Sequence, residues 1–147
     1  MKKRPEGAKV STIVCNHIGF FEIINLLLSP LFPSYLAKSD LADAPLVGSG
    51  IKGLQSIFVN RAGTEEEKNK IVESIMIRQR EIEDEGKNYS PICIFPEGTT
   101  TNGDHLIGFK RGAFQAMRTV QPCFVKTDYF HIKPTWENPF LAPLLIL

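Results

Sequence analysis

The sequence has almost no surplus of either charge: 17 Lys and Arg face 16 Asp and Glu in 147 residues, a formal net charge of +1. Neutralising a phosphate backbone takes a basic surplus or a concentrated basic stripe, so a nucleic-acid partner is excluded. The one basic run, Lys2-Lys3-Arg4 with Lys9, reads as a solvated tail, with contact to anionic lipid headgroups as the alternative. Cysteine is scarce as well. Cys15, Cys93 and Cys123 are odd in number, lack metal-ligand spacing and sit in apolar, strand-like surroundings. That pattern fits buried, reduced thiols in a cytosol-facing domain and no metal site. Long apolar runs are missing too. The longest, 23–36, is broken by Pro30 and Pro33 and is too short and kinked to span a bilayer, although an interfacial segment is compatible with it. The charged N-terminus, followed by an apolar stretch that Asn16 and His17 interrupt, is not a signal-peptide pattern. Internal repeats and low-complexity segments are absent.

What is present is a hydrophobic content of 43% with 22% charged residues, ordinary for a globular chain, and a length that suits one domain over 1–147. Residues 140–147 form an apolar end with no polar close, which leads us to expect a segment of a longer, membrane-associated protein. Val10 to Cys15 predicts a buried strand and the following residues a helix to about Leu28. Pro30, Pro33 and Pro45 punctuate a connecting region that contains an extended candidate, Ser34 to Ala37. Leu54 to Val59 is the next strand. Thr64 and Glu67 form a capping box for a helix whose Ile71, Ile75 and Ile82 share one face until Gly86. Then come a strand from Pro91 to Phe95, a helix from about Lys110 to Thr119 and a strand around Cys123 to Thr127. Alternation of this kind predicts an α/β fold with a largely parallel central sheet flanked by helices.

Two polar clusters directly follow strand-like runs: Asn16-His17-Ile18-Gly19-Phe20-Phe21-Glu22, and Phe95-Pro96-Glu97-Gly98-Thr99-Thr100-Thr101-Asn102-Gly103. In open α/β sheets, strand ends are where sites are built. A histidine, whose unperturbed pKa is about 6.5, suits general-base chemistry. A carboxylate on its ring would fix the tautomer and stabilise the imidazolium that forms. His17 and Glu22 can make that pair only under a geometric condition. Five positions along one helix turn through about 500°, or ~140° net, and would place them on different faces. His17 must therefore precede the helix and fold its ring back, a turn that Gly19 eases. A substrate hydroxyl then takes the place of a protein nucleophile. The rival chemistry, a thiol nucleophile at Cys15 or Cys93, is disfavoured because apolar strands oppose thiolate formation.

Four blocks in order resemble the glycerolipid acyltransferase family over roughly Val10 to Val125. Asn16, His17, four residues and Glu22 are similar to its histidine-acid block, with Glu for the commoner Asp, an extra methylene shared by a minority of members. Ile57-Phe58-Val59-Asn60-Arg61 is similar to the second block, Phe95-Pro96-Glu97-Gly98-Thr99 to the third and Val120-Gln121-Pro122-Cys123-Phe124-Val125 to the fourth. The resemblance implies transfer of a fatty acyl group from acyl-CoA, a co-substrate, to a glycerol-based acceptor, with no tightly bound cofactor. It implies His17 and Glu22 as the catalytic pair. It further implies that Asn16, Arg61, Glu97, Gly98 and Thr99 bind substrate, Arg61 through the acceptor's phosphate, for which a guanidinium is suited. The proline-bearing fourth block is expected to wall an acyl or pantetheine channel, or simply to be a core strand.

Thr99 to Gly103 followed by Phe109-Lys110-Arg111-Gly112-Ala113-Phe114 resembles the branch that acylates lysophosphatidylcholine and lysophosphatidylethanolamine. Lys110 and Arg111, at an expected helix start, would combine charge with free main-chain donors for a phosphate; an exposed basic turn is the equal alternative. The partners implied are acyl-CoA, a lysophospholipid and a membrane surface, and the implied location is the endoplasmic reticulum membrane, with anchors outside this segment. A non-catalytic, lipid-binding relative is the other reading that the glutamate at position 22 leaves open.

Overall fold

Alternation along very short strands builds the core. The computed structural model describes residues 9–19, 21–43, 45, 47–60 and 63–126. In it β1 (Thr12–Val14), β2 (Ser34–Lys38), β3 (Ile57–Val59), β4 (Ile92–Ile94) and β5 (Val120–Pro122) form one parallel sheet in the order β3-β2-β4-β1-β5. Successive side chains point to opposite faces of a strand. Val14, Ile92 and Ile94 accordingly pack on one face against Ile75 and Ala113. Ile13, Cys15 and Cys93 pack on the other against Leu26. The expected parallel α/β architecture is present.

Helices α1 (Phe21–Leu27), α2 (Val47–Gly53) and α3 (Glu65–Glu83) connect the strands. The chain leaving β1 turns onto the Leu26 face through α1. The chain leaving the neighbouring β4 crosses to β5 over the opposite face, through a single 3₁₀ turn at Arg111–Ala113. Connections that diverge at adjacent strand ends mark the place where α/β sheets carry sites. No helix among the described residues is long and apolar enough to cross a membrane.

The longest helix begins as its sequence requires. Thr64 accepts from the Glu67 N–H while the Glu67 carboxylate accepts from the Thr64 N–H, the reciprocal capping box. Three glutamates in the first turn face the positive end of the helix dipole. Ile75 and Ile82 are buried, and the Gln79 amide ties α3 to β1 and to the 3₁₀ turn by donating to Thr12 Oγ1 at 2.7 Å and the Ala113 carbonyl at 3.3 Å. The helix ends at Glu83, and the chain enters the left-handed region at Gly86, φ +68°.

Three expectations fail, each for a local reason. The helix expected over Lys110 to Thr119 is only the Arg111–Ala113 turn, since Phe114 N–H bonds the Arg111 carbonyl and Met117 N–H the Phe114 carbonyl, three-residue steps that never reach the α spacing. Gly112 lowers helix propensity in that stretch and Met117 turns left-handed, φ 52°. The last strand lies at Val120–Pro122 rather than around Cys123 to Thr127, because its partner β1 stops at Val14 and Cys123 N–H makes the final rung to the Val14 carbonyl; Thr127 lies outside the described residues. Finally, α2 occupies part of the proline-punctuated connection, and the strand expected from Leu54 starts only at Ile57. The glycines of α2 argue against a helix by propensity, yet a Cβ on Gly48 would collide with the Ala42 and Leu41 carbonyl oxygens. Close packing, not propensity, selects that residue.

Candidate active site

Parallel register brings the two polar clusters together. Val14 pairs with Ile94, so three residues further along each chain His17 and Glu97, 80 residues apart in sequence, reach the same height above the sheet. The α1 helix begins at Phe21, which leaves His17 ahead of it with its ring folded back, as the spacing demands. Its Nδ1 lies 2.6 Å from Glu22 Oε1. What Gly19 supplies to this turn is its N–H, which donates to Glu22 Oε1.

Glu22 is a buried carboxylate with well-chosen neighbours. Oε1 receives the N–H groups of Ile18 at 2.7 Å and Gly19 at 2.8 Å in addition to the His17 ring. Burial by itself would raise its pKa, but the hydrogen bonds from His17 and from the main-chain N–H groups of Gly19 and Glu22 outweigh it and hold the group below its ordinary 4.5. An ionised Glu22 can only accept, so His17 Nδ1 carries the proton of this bond, and in the neutral ring the lone pair is then the one on Nε2. The extra methylene of glutamate therefore does not prevent the contact. His17 is 15% exposed at its side chain and Glu22 4%, so the imidazole touches solvent while its partner is nearly shut off from it.

The remaining expected residues divide into two groups. Asn16 is occupied by protein: its carboxamide donates to the Val125 carbonyl at 3.0 Å and accepts the Val125 N–H at 2.9 Å, continuing by side chain the pairing that the β1–β5 ladder ends. Glu97, 2% exposed, accepts the His17 N–H at 3.3 Å and the Ile107 N–H at 3.5 Å. Gly98 adopts φ +73°, and a Cβ there would meet the Lys110 side chain at 2.7 Å, so the lysine lies directly across the turn. Thr99, Lys110 and Arg111 are exposed. The main-chain N–H of Lys110 is not a free donor, because it bonds the Pro96 carbonyl at 2.8 Å; with the helix absent, only the two side-chain charges remain of the expected phosphate site. Arg61 lies outside the described residues.

Two neighbours of His17 were not assigned a role from sequence. Phe95 stacks on the imidazole at 4.0 Å between centroids with 13° between planes, and the Thr101 N–H donates to the His17 carbonyl at 2.8 Å. Both follow from the register between β1 and β4, which no local pattern discloses. The thiols fit their expected inert character. Burial, then the neighbouring Cys123, pushes Cys15 up to about 12, and burial raises Cys93 still more strongly. Neither can supply a thiolate near neutral pH.

The sequence model of the Acyltransferase family matches residues 5–136. The chain is 36% identical to Lysophospholipid acyltransferase LPEAT1 of Arabidopsis thaliana over 133 residues, 90% of this chain and 33% of that protein. It is 36% identical to Lysophosphatidylcholine acyltransferase of Drosophila melanogaster over 151 aligned residues, 100% of this chain and 27% of that one. Lysophosphatidylcholine acyltransferase 2 of Danio rerio is 33% identical over 97% of this chain and 27% of its own length. The chain thus spans a third or less of these relatives. No solved structure matches it significantly.

Proposed function

The chain belongs to the acyltransferase family, and from that membership we propose that it is the catalytic segment of a lysophospholipid acyltransferase that uses acyl-CoA as donor. The observation that carries this reading is the 2.6 Å contact of His17 Nδ1 with a buried, ionised Glu22, which leaves Nε2 as a base. The acceptor hydroxyl attacks the thioester carbonyl while Nε2 removes its proton. Glu22 stabilises the imidazolium that forms. Collapse of the tetrahedral intermediate breaks the carbon–sulfur bond, and the departing coenzyme A thiolate takes the proton back from His17. The products are the acylated lipid and free coenzyme A.

On this reading Arg61, Lys110 and Arg111 meet the acceptor's phosphate, and Gly98 and Thr99 line the place where it lies. The protein works at a membrane surface, with the endoplasmic reticulum as the expected location. Arg61→Lys keeps the charge but loses the planar fork. It should raise the acceptor KM and leave that for acyl-CoA nearly unchanged; an effect confined to acyl-CoA would move Arg61 to the donor side.

The test is the release of free coenzyme A by the full-length protein with and without a panel of lysophospholipids. Acceptor-dependent release supports a transferase. Acceptor-independent release supports a hydrolase, and none a lipid-binding relative. His17→Ala should lower the transfer rate by about a hundredfold to ten-thousandfold without unfolding the chain. Retention of more than half the activity would remove His17 from the mechanism.

A further inference from the structure

His17 is held from four directions, and only one hold belongs to its own block. Glu22 takes Nδ1. The other three come from residues about eighty positions away: Phe95 lies flat against the ring at 4.0 Å, Glu97 Oε1 accepts the main-chain N–H at 3.3 Å, and the Thr101 N–H reaches the main-chain carbonyl at 2.8 Å. We infer that the segment from Phe95 to Thr101 is the orienting frame of the base, and that Glu97 within it is a positioning residue instead of a ligand for the acceptor's hydroxyl. The inference rests on the reading of His17 as general base.

The chemistry of the carboxylate favours this role. A hydroxyl of the acceptor needs an accessible oxygen, and Glu97 is only 2% exposed. Its two oxygens each face a main-chain donor: Oε1 the His17 N–H, Oε2 the Ile107 N–H at 3.5 Å. Burying a carboxylate is costly unless such donors meet it. A side chain that only accepts fits both, whereas an amide in the same place must turn its NH₂ toward one of the two N–H groups. Glu97 thereby links the turn that carries His17 to the loop that ends at Lys110. That loop is itself closed by the 2.8 Å bond from the Lys110 N–H to the Pro96 carbonyl. Phe95 completes the frame by limiting rotation of the imidazole, so that Nε2 keeps one direction. Small errors in that direction are expensive, since misplacing a reacting group by ~1 Å costs about a hundredfold in rate.

The experiment is steady-state kinetics of the full-length protein with palmitoyl-CoA at saturation and lysophosphatidylcholine or lysophosphatidylethanolamine varied. Wild type is compared with Glu97→Gln, Phe95→Leu and His17→Ala. A frame predicts that Glu97→Gln and Phe95→Leu each lower kcat by about ten- to a hundredfold while the acceptor KM stays within about twofold of wild type. If Glu97→Gln raises the acceptor KM and spares kcat, or changes neither, Glu97 is not a positioning residue. Phe95→Leu keeps the test decisive where the Glu97 variant does not fold, because full kcat in that variant removes the frame. Should His17→Ala retain activity, the general-base reading itself fails, an outcome separate from the fate of Glu97.

Discussion

The carboxylates that follow β1 and β4 and three of those along α3, Glu65, Glu66 and Glu81, show two ways of using the same chemical group. Glu22 and Glu97 are nearly inaccessible and bind main-chain N–H groups, with the His17 ring as the only side-chain hydrogen-bond partner of either among the described residues. Glu65, Glu66 and Glu81 instead pair with Lys68, Lys70 and Lys87, long side chains on an open surface. A main-chain donor is fixed by the fold, so the first arrangement holds a charge in one place. A lysine must lose rotamer freedom to make the second, and water screens what it gains. Precision is concentrated where strands end, and solubility is supplied elsewhere.

Breaking the first arrangement should cost far more than breaking the second. Glu22→Ala strands the Ile18 and Gly19 donors and frees the His17 ring, so we expect a loss of stability of roughly 1–3 kcal/mol from the unmet donors, seen in a denaturant melt, with transfer reduced to a small residue in a rate assay. Glu22 also imposes a pH dependence of known sign. Its pKa is depressed in the folded protein, so the stability it contributes is present above the unfolded carboxyl value and is lost as pH falls below 4.5 through the folded one. Thermal melts between neutral and acidic pH should show a decline in wild type that is shallower in Glu22→Gln; identical slopes would remove this linkage. Cys15→Ala and Cys93→Ala should each lower stability by about 1–2 kcal/mol through lost packing and keep transfer within a few fold. Abolished activity in a folded cysteine variant would bring back the thiol mechanism.

On α3 the effects shrink. Thr64→Ala removes the cap and should cost about 1 kcal/mol, and Lys68→Ala at most about 0.5 kcal/mol. Neither should alter kcat. A change in turnover from either would mean that the helix surface and the site are coupled, contrary to the separation described here.

This difference between the regions also governs what the sequence discloses. The α3 helix was legible because its capping box and its isoleucine period are local and extend over nineteen residues. The His17–Glu22 pair was legible for the same reason, since five residues and the twist of a helix determine whether the groups can meet. Strand limits were less legible. With only three residues in β1, β3, β4 and β5, the ladder partner decides where each stops. A glycine-containing helix escaped notice at Val47–Gly53 because its glycine serves packing, and a supposed helix after Lys110 was betrayed by Gly112 and the left-handed Met117. The contacts of Phe95, Glu97 and Thr101 with His17 depend on the register of two strands far apart in the chain, which a linear pattern does not contain.

The most direct test of the account is a comparison of initial rates for wild type, Glu22→Gln and Glu22→Asp at saturating acyl-CoA and acceptor. Gln keeps the size of the side chain and discards its charge, so it should still be able to meet some of the main-chain donors while failing the imidazolium. The account predicts a kcat for Gln lower by one to several orders of magnitude, on the order of the loss of general-base catalysis, with the acceptor KM little changed. Asp, which restores charge but draws the carboxylate back by one methylene, should fall clearly between Gln and wild type. A Gln variant that turns over as fast as wild type would contradict the His17–Glu22 pair and leave His17 acting alone.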